Sequence, residues 1–131
     1  MPKIPVPDRF NDILESKALA HLATIGPDGH PQTNPIWFIR DGDHILFSVR
    51  DGTIKLKNIR RNPHVALSIS DREKPGQYIE LRGEVIEMQL YEDVSFVNIL
   101  ARKYTGADFG AGAAGEKRYK MIFQPTAWTG Q

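Results

Sequence analysis

The stretch Ala20-His-Leu-Ala-Thr-Ile-Gly-Pro-Asp-Gly-His-Pro-Gln-Thr-Asn-Pro-Ile-Trp-Phe38 predicts a β-hairpin. Its first part belongs to a strand over residues 19–25, and Gly26-Pro-Asp-Gly29 is a strong signal for a tight turn between antiparallel strands. Its second part belongs to a strand over residues 32–39. A further tight turn at Arg40-Asp-Gly-Asp43 leads to a third strand, over residues 44–50, with alternating apolar side chains.

The remaining chain adds more strands and three helices. Strands are expected over residues 64–70, 77–88 and 118–123; Gly83 indicates a bulge or a sharp bend, Pro125 ends the last strand, and Trp128 lies in a short tail. Three helices are expected. The first follows Pro7 and is capped by Asp8, the second covers residues 53–61, and the third covers residues 90–104. Five or six short strands in hairpin order, with peripheral helices, predict a mainly β protein, an antiparallel barrel forming a single domain over residues 1–131.

Composition excludes several classes of function. The chain has 131 residues, 40% of them hydrophobic and 25% charged, and its 17 basic and 16 acidic residues give a net charge of +1. Such a balance gives no reason to expect nucleic-acid binding. There is no cysteine, which excludes disulfides and cysteine-bound metals. No apolar run approaches the ~20 residues of a membrane span, and the N-terminus does not resemble a signal peptide. We therefore expect a soluble, cytoplasmic protein.

Positive charge is concentrated in one segment. Twelve positions contain a single acid, Asp51, and five basic residues: Arg50, Lys55, Lys57, Arg60 and Arg61. The segment is predicted to form a short helix that follows a strand and ends at Asn62-Pro63. The start of a helix presents free backbone N–H groups, so a basic helix in this position is suited to hold a phosphate. The alternative is a solvated charged face on a surface helix.

No catalytic or metal site is evident among the side chains. The four histidines, at positions 21, 30, 44 and 64, form no i,i+4 pair and no cluster with carboxylates, which argues against a metal site. No serine, histidine and aspartate form a recognisable triad. The segment Gly110-Ala-Gly-Ala-Ala-Gly115 matches a dinucleotide fingerprint in letters only, because it follows no strand, and a flexible loop over residues 105–115 is expected instead. If the protein is an enzyme, a bound cofactor carries the chemistry.

Two separated motifs carry a family resemblance. The hairpin sequence of residues 20–38 resembles the opening hairpin of the pyridoxamine 5′-phosphate oxidase-like split-barrel family, whose members bind FMN and related groups. The run Thr53-Ile-Lys-Leu-Lys-Asn-Ile-Arg-Arg-Asn-Pro-His-Val-Ala66 is similar to the cofactor-phosphate segment of its deazaflavin (F420)-dependent reductases. The likeness continues through Gly76-Gln-Tyr-Ile-Glu-Leu-Arg-Gly-Glu-Val85 to the last strand. Flavin, deazaflavin and haem are all bound within this family.

The resemblance implies a role for each matching residue. The redox-active ring would lie along the second strand, next to Gln32, Thr33, Asn34, Pro35 and Trp37. The ribityl chain would run beside Ser48, Val49 and Arg50, and the phosphate would contact Thr53 and Lys55. The acidic tail of F420 would meet Lys57, Asn58, Arg60 or Arg61. A second subunit would contribute Tyr78 and Glu80.

These roles predict an oxidoreductase that transfers a hydride between coenzyme F420 and an electron-poor small molecule, either a conjugated C=C or a quinone-like system. An FMN-dependent oxidoreductase of the same fold and a non-catalytic cofactor carrier remain as alternatives. We also expect a homodimer with the cofactor at its interface, because Tyr78, Ile79 and Leu81 would leave apolar surface on a monomer. The alternative is a monomer in which the helix over residues 90–104 closes the edge of the barrel.

Overall fold

Seven antiparallel strands form one continuous sheet in the computed structural model, which describes residues 6–110 and 115–131. The order of the strands across the sheet is β2-β1-β5-β6-β7-β4-β3. Their bounds are β1 Ala20–Ile25, β2 Pro31–Ile36, β3 Ile39–Asp41, β4 His44–Arg50, β5 His64–Ser70, β6 Tyr78–Tyr91 and β7 Arg118–Gly130. The mainly β, split-barrel fold expected from the sequence is confirmed.

The helices lie outside the strands. A turn of 3-10 helix at Asp8–Phe10 leads into α1, Asn11–Glu15; α2 is Ile54–Arg61 and α3 is Ser95–Thr105. The basic helix was predicted correctly, and the Thr53 hydroxyl caps it by accepting a hydrogen bond from the Leu56 N–H at 3.4 Å. Asp8 is not a cap, because no side chain caps the first helical turn. Within the described ranges, no helix is both long and apolar enough to span a membrane.

Inward-facing side chains, most of them on the strands, fill the barrel. Phe10, Phe38, Phe47 and Phe123 are all completely buried or nearly so, together with the aliphatic residues that alternate along β5 and β6. A second, smaller cluster lies between the outer face of β4 and α3 and contains Leu46, Phe96 and Leu100. The sheet is therefore covered on part of its outer face as well, and that second layer forms the wall of a pocket.

Ile79 and Leu81 belong to the core, so the sequence-based reason for a dimer was wrong. Both are 0% exposed, because they point into the barrel. Apolar side chains are exposed instead near the end of the same strand, at Ile86, Met88 and Leu90. A register shift between Val85 and Glu87 inserts one extra residue in β6, which interrupts the alternation of inward and outward side chains.

Two strands are longer than the sequence predicted. β6 continues to Tyr91 because Leu90 and Tyr91 pair with the beginning of β7, so α3 begins at Ser95 rather than at residue 90. β7 continues beyond Pro125 to Gly130, and Trp128 is therefore part of the strand rather than of a tail. Pro125 is tolerated because it lies at a register shift in the ladder.

Gly83 lies at this register shift, as its sequence position indicated. A Cβ atom added there would lie 2.0 Å from the carbonyl oxygen of Gln124, closer than two such atoms can approach. The predicted second strand is also divided, into β2 and β3, with Trp37 and Phe38 between them. Of the glycine-rich segment at 105–115, residues 111–114 lie outside the described part of the chain.

Candidate functional site

A pocket of about 590 Å³ lies on the outer face of the sheet, between β4, the start of α2 and α3. Its lining combines residues that are far apart in the sequence. Six of those predicted from the sequence are among them: Pro35, Trp37, Ser48, Arg50, Thr53 and Lys55. The fold thus brings residues of the second strand, the fourth strand and the basic helix to one concave surface.

One end of the pocket is cationic. Arg50, Lys55 and Arg118 all line it. Burial lowers the pKa of Lys55, and the nearby charge of Arg50 lowers that pKa further. Arg118 is only 4% exposed and forms an ion pair with Glu116, whose carboxylate oxygen lies 2.7 Å from a guanidinium nitrogen. An anionic ligand would offset this concentration of positive charge.

The turn before α2 fixes the position of the cations. The Thr53 hydroxyl donates a hydrogen bond to the Arg50 carbonyl oxygen at 2.9 Å, in addition to its contact with the first turn of the helix. Lys55 is the second residue of α2 and lies half-buried beside the free backbone N–H groups of that first turn. Helix start and ammonium group therefore face the same end of the pocket, a combination that suits a phosphate.

The other end of the pocket is apolar, and its wall is rigid. The Trp37 indole stacks on the Tyr104 ring, with 5.4 Å between ring centroids and an interplanar angle of 8°. The Tyr104 hydroxyl donates to the Ala18 carbonyl oxygen at 2.9 Å and accepts from the Phe38 N–H at 3.3 Å. Burial raises the pKa of Tyr104 to about 12, so the phenol remains a neutral donor. Trp37 is thereby held in one orientation, which suits contact with a flat ring.

Lys103 ties α3 to α1 and to the link between β2 and β3. Its ammonium group donates to the carbonyl oxygens of Phe38 at 2.9 Å and Leu14 at 3.3 Å, and lies 3.9 Å from the centre of the Phe38 ring. Burial lowers the pKa of Lys103 to about 8. This cation has a structural role, since its contacts fix the helix that supplies Val97 and Leu100 to the pocket.

Ser48 has a partner that the sequence did not indicate. Its hydroxyl forms a hydrogen bond with the Tyr91 hydroxyl, which lies two strands away in the order β6-β7-β4. Burial raises the pKa of Tyr91. Arg118 pairs in register with Arg50 on one side and with Tyr91 on the other, so the polar groups of three neighbouring strands meet on this face.

Two predicted site residues point away from the pocket. The Val49 side chain is 0% exposed and belongs to the barrel core, so only its backbone can contact a ligand on the outer face. Asn58 is 2% exposed; its amide donates to the Thr24 hydroxyl at 3.1 Å and accepts from Arg61 at 3.3 Å. Asn58 therefore holds α2 on the barrel, which corrects its expected place at the cofactor tail.

The other predicted residues do not line the pocket either. Gln32, Thr33 and Asn34 lie along β2, and the Gln32 side-chain carbonyl oxygen is buried without a hydrogen-bond partner in the described structure. On α2, Lys57, Arg60 and Arg61 are exposed, and Arg60 lies over the Tyr119 ring at 4.8 Å. Tyr78 begins β6, beside Ser70 and Gln131.

Six lining residues were missed by the sequence analysis: Leu19, Ile36, Val97, Leu100, Phe109 and Arg118. None of them belongs to the basic segment. The apolar spacing of α3 was visible in the sequence, but not the face against which the helix packs. In the described ranges, no group of three His, Cys, Asp or Glu side chains could hold a metal ion.

The strand order is that of a split β-barrel, and its outer face carries a pocket with a cationic end. The chain matches the family model described as pyridoxamine 5′-phosphate oxidase over residues 6–125. It therefore belongs to the pyridoxamine 5′-phosphate oxidase-like family. No match was found among curated proteins.

Solved structures agree with this assignment. A structure named F420 reductase shares 35% identity with the chain, with a TM-score of 0.83 over 95% of this chain and 98% of its own. A conserved hypothetical protein of Mycobacterium tuberculosis is 19% identical, with a TM-score of 0.72 over 98% and 85% of the two chains. A Clostridium acetobutylicum protein of the pyridoxinephosphate oxidase family is 17% identical, with a TM-score of 0.68 over 96% and 90%. The last two likenesses concern the fold alone.

Proposed function

We propose that this protein is an oxidoreductase that binds coenzyme F420 and reduces an electron-poor small molecule, a conjugated C=C or a quinone-like system. The observation that carries the proposal is the composition of the pocket, which has a rigid aromatic wall at one end and a cluster of cations at the other. A ligand made of a flat ring, a polar chain and a phosphate matches this arrangement. The likeness to a structure named F420 reductase supports the choice of cofactor.

The residues present fit the parts of F420 in sequence along the pocket. The ring would lie against Pro35 and Trp37, the ribityl chain beside Ser48, and the phosphate at Thr53 and Lys55. When bound, the reduced cofactor supplies a hydride to a carbon of the acceptor, water supplies the accompanying proton, and the cofactor is oxidised. The protein itself holds the ring in one orientation, so positioning is its main contribution to the rate.

The acidic tail of F420 would leave the pocket at the exposed side of α2. Lys57, Arg60 and Arg61 do not line the pocket, but they lie exposed on the helix whose start would hold the phosphate. Flexible cations of this kind interact with carboxylates over a range of positions. We infer a weak, salt-dependent contact there rather than a defined site.

FMN is the second candidate, because its ring, ribityl chain and phosphate match the same pocket. Titration of the purified apoprotein with each cofactor, followed by fluorescence, separates the two. We expect tight binding of F420 and weak binding of FMN. The reverse result would refute the cofactor assignment and leave the fold intact. A protein that binds F420 but never oxidises its reduced form with a panel of enones and quinones would instead be a carrier.

We also infer a homodimer with the cofactor at its interface. Ile86, Met88 and Leu90 form an exposed apolar stripe on β6, which a second copy could cover. Tyr78 and Glu80 do not line the pocket of their own chain, so they could reach the cofactor only from a partner. Sedimentation at micromolar concentration tests this inference, and Met88→Glu should shift the protein towards monomer. A wild-type monomer that binds cofactor tightly would rule out a shared site.

A further inference from the structure

Tyr91 lies beside the cofactor pocket without lining it. It is the last residue of β6, and it lines a separate cavity of about 240 Å³ together with Phe96 and Lys120. Its hydroxyl forms a hydrogen bond with the Ser48 hydroxyl, and Ser48 does line the cofactor pocket. A ligand in that pocket would therefore meet Ser48, and Tyr91 could influence the ligand through Ser48.

The fold holds the Tyr91 ring in a defined place. The ring packs edge-on against Phe96, with 5.8 Å between ring centroids and an interplanar angle of 88°. Phe96 is itself buried in the cluster that contains Leu46 and Leu100. Because β7 lies between β6 and β4, the hydrogen bond to Ser48 spans two inter-strand distances, about 9–10 Å, which requires a long side chain. Packing thus presents the phenol to Ser48 before any ligand binds.

The hydrogen bond between the two hydroxyls has a preferred direction. A phenol is more acidic than an aliphatic alcohol, so Tyr91 is the better donor and Ser48 the better acceptor. Burial raises the pKa of Tyr91, and the phenol therefore keeps its proton at neutral pH. When the Ser48 oxygen accepts from Tyr91, the hydrogen of Ser48 itself can be donated to a ligand in the pocket.

We propose that Tyr91 is a positioning residue, which fixes the Ser48 hydroxyl as a hydrogen-bond donor to an oxygen atom of the cofactor's ribityl chain. The proposal rests on the proposed function, because that function places the ribityl chain beside Ser48. FMN carries the same chain, so the role of Tyr91 holds for either cofactor. A residue outside the pocket is thereby added to those that determine cofactor affinity.

A double-mutant cycle tests this role by fluorescence titration with F420. Tyr91→Phe keeps the ring against Phe96 and removes the hydroxyl, and it should weaken binding about threefold to tenfold. In the Ser48→Ala background the same change should alter the affinity by less than about twofold, because the group through which Tyr91 acts is gone. Tyr119→Phe is the matched control, since it also removes a phenol hydroxyl but from a residue that does not line the pocket. It should leave the affinity unchanged.

Arg118 offers a second route by which Tyr91 could affect binding. It pairs in register with Tyr91 and lines the pocket, so Tyr91→Phe could act by displacing this cation. Titrations at several salt concentrations separate the two routes. Loss of a neutral hydrogen bond should lower the affinity by the same factor at each concentration, whereas a displaced cation should make binding less dependent on salt. Thermal unfolding shows whether each variant is folded.

Four results would overturn the proposal: an unfolded Tyr91→Phe protein, a folded one with wild-type affinity, an equal loss of affinity in the wild-type and Ser48→Ala backgrounds, or a reduced salt dependence. Each would leave Tyr91 with a structural role, an effect through Arg118, or no role in binding. If F420 fails to bind the wild type, the proposed function fails, and the cycle is then decided with FMN. If F420 binds and the cycle shows no coupling, only the role of Tyr91 fails.

Discussion

Lys55→Ala is the sharpest test of the cofactor phosphate site. The lysine lies half-buried at the start of α2, in the pocket that also contains Arg50 and Arg118. Removing it would delete one charge-assisted contact with the phosphate, typically ~1.5–3 kcal/mol. This loss corresponds to a decrease in F420 affinity of about tenfold to a hundredfold or slightly more. The remaining cations and the helix start would still hold the phosphate, so binding should be weakened rather than abolished.

The same substitution should not destabilise the fold. The pKa of Lys55 is below its ordinary value, so in the folded protein its charged form is disfavoured by burial and by Arg50. At neutral pH the unfolded chain carries the same charge without that penalty, and the charge therefore opposes folding. The penalty disappears as the pH rises above the ordinary value of 10.5. Alanine also favours a helix more than lysine does. Thermal unfolding at pH 7 should show a melting temperature equal to or above that of the wild type.

Fluorescence titration with F420 at low salt measures the affinity, and Lys57→Ala is the control. Lys57 lies on the same helix but is exposed and does not line the pocket, so its replacement should have a smaller effect, one that grows with the number of glutamates on the tail. Wild-type affinity should also fall as the pH approaches the lowered pKa of Lys55, because the ammonium group then loses its charge. Equal affinities for folded wild type and Lys55→Ala would refute the phosphate site.

Two predictions concern the fold itself. Gly83→Ala should lower the free energy of unfolding by about 2–4 kcal/mol, because the new Cβ would clash with the Gln124 carbonyl oxygen. Gly76→Ala is the control: a Cβ there meets nothing within 4 Å, so the free energy of unfolding should change by less than about 0.5 kcal/mol. Asn58→Ala should cost about 1–3 kcal/mol by leaving the buried Thr24 hydroxyl without its donor, and F420 affinity should change little. Denaturant unfolding checks both, and an Asn58→Ala protein of wild-type stability would contradict the structural role given to that amide.

The strands were predictable because each carried its own local signal. Tight turns and alternating side chains gave β4 and β5 with their observed bounds. The errors fell where a pairing partner decided the outcome. The sequence around Leu90 has helical spacing, yet Leu90 pairs with Tyr119 and extends β6. Pro125 was expected to end β7, but the register shift opposite Gly83 accommodates it. Long-range pairing of this kind overrides local preference.

Some basic residues of this segment line the pocket and others face the solvent, and the geometry of a helix explains the difference. Successive residues of α2 are rotated by about 100°, so Lys57 lies about 200° around the helix from Lys55 and cannot share its face. The residue that comes nearest to the face of Lys55 one turn later is Ile59, and it is buried against the barrel. The sequence analysis placed all five basic residues at the cofactor because it considered only their charge. In the structure, only the beginning of the helix lines the pocket.

Arg118 could not have been identified in this way, because no local pattern distinguishes it from other basic residues at the start of a strand. It becomes part of the site only because β7 lies between β4 and β6, which brings Arg118 beside Arg50 and Tyr91. A cation that is 4% exposed and has a carboxylate partner is costly to bury, and its charge adds to that of Lys55 on the same pocket. Two cations of this end of the site, Arg50 and Lys55, belong to one continuous segment and could be predicted from the sequence. The third, Arg118, joins them only because of the order of the strands.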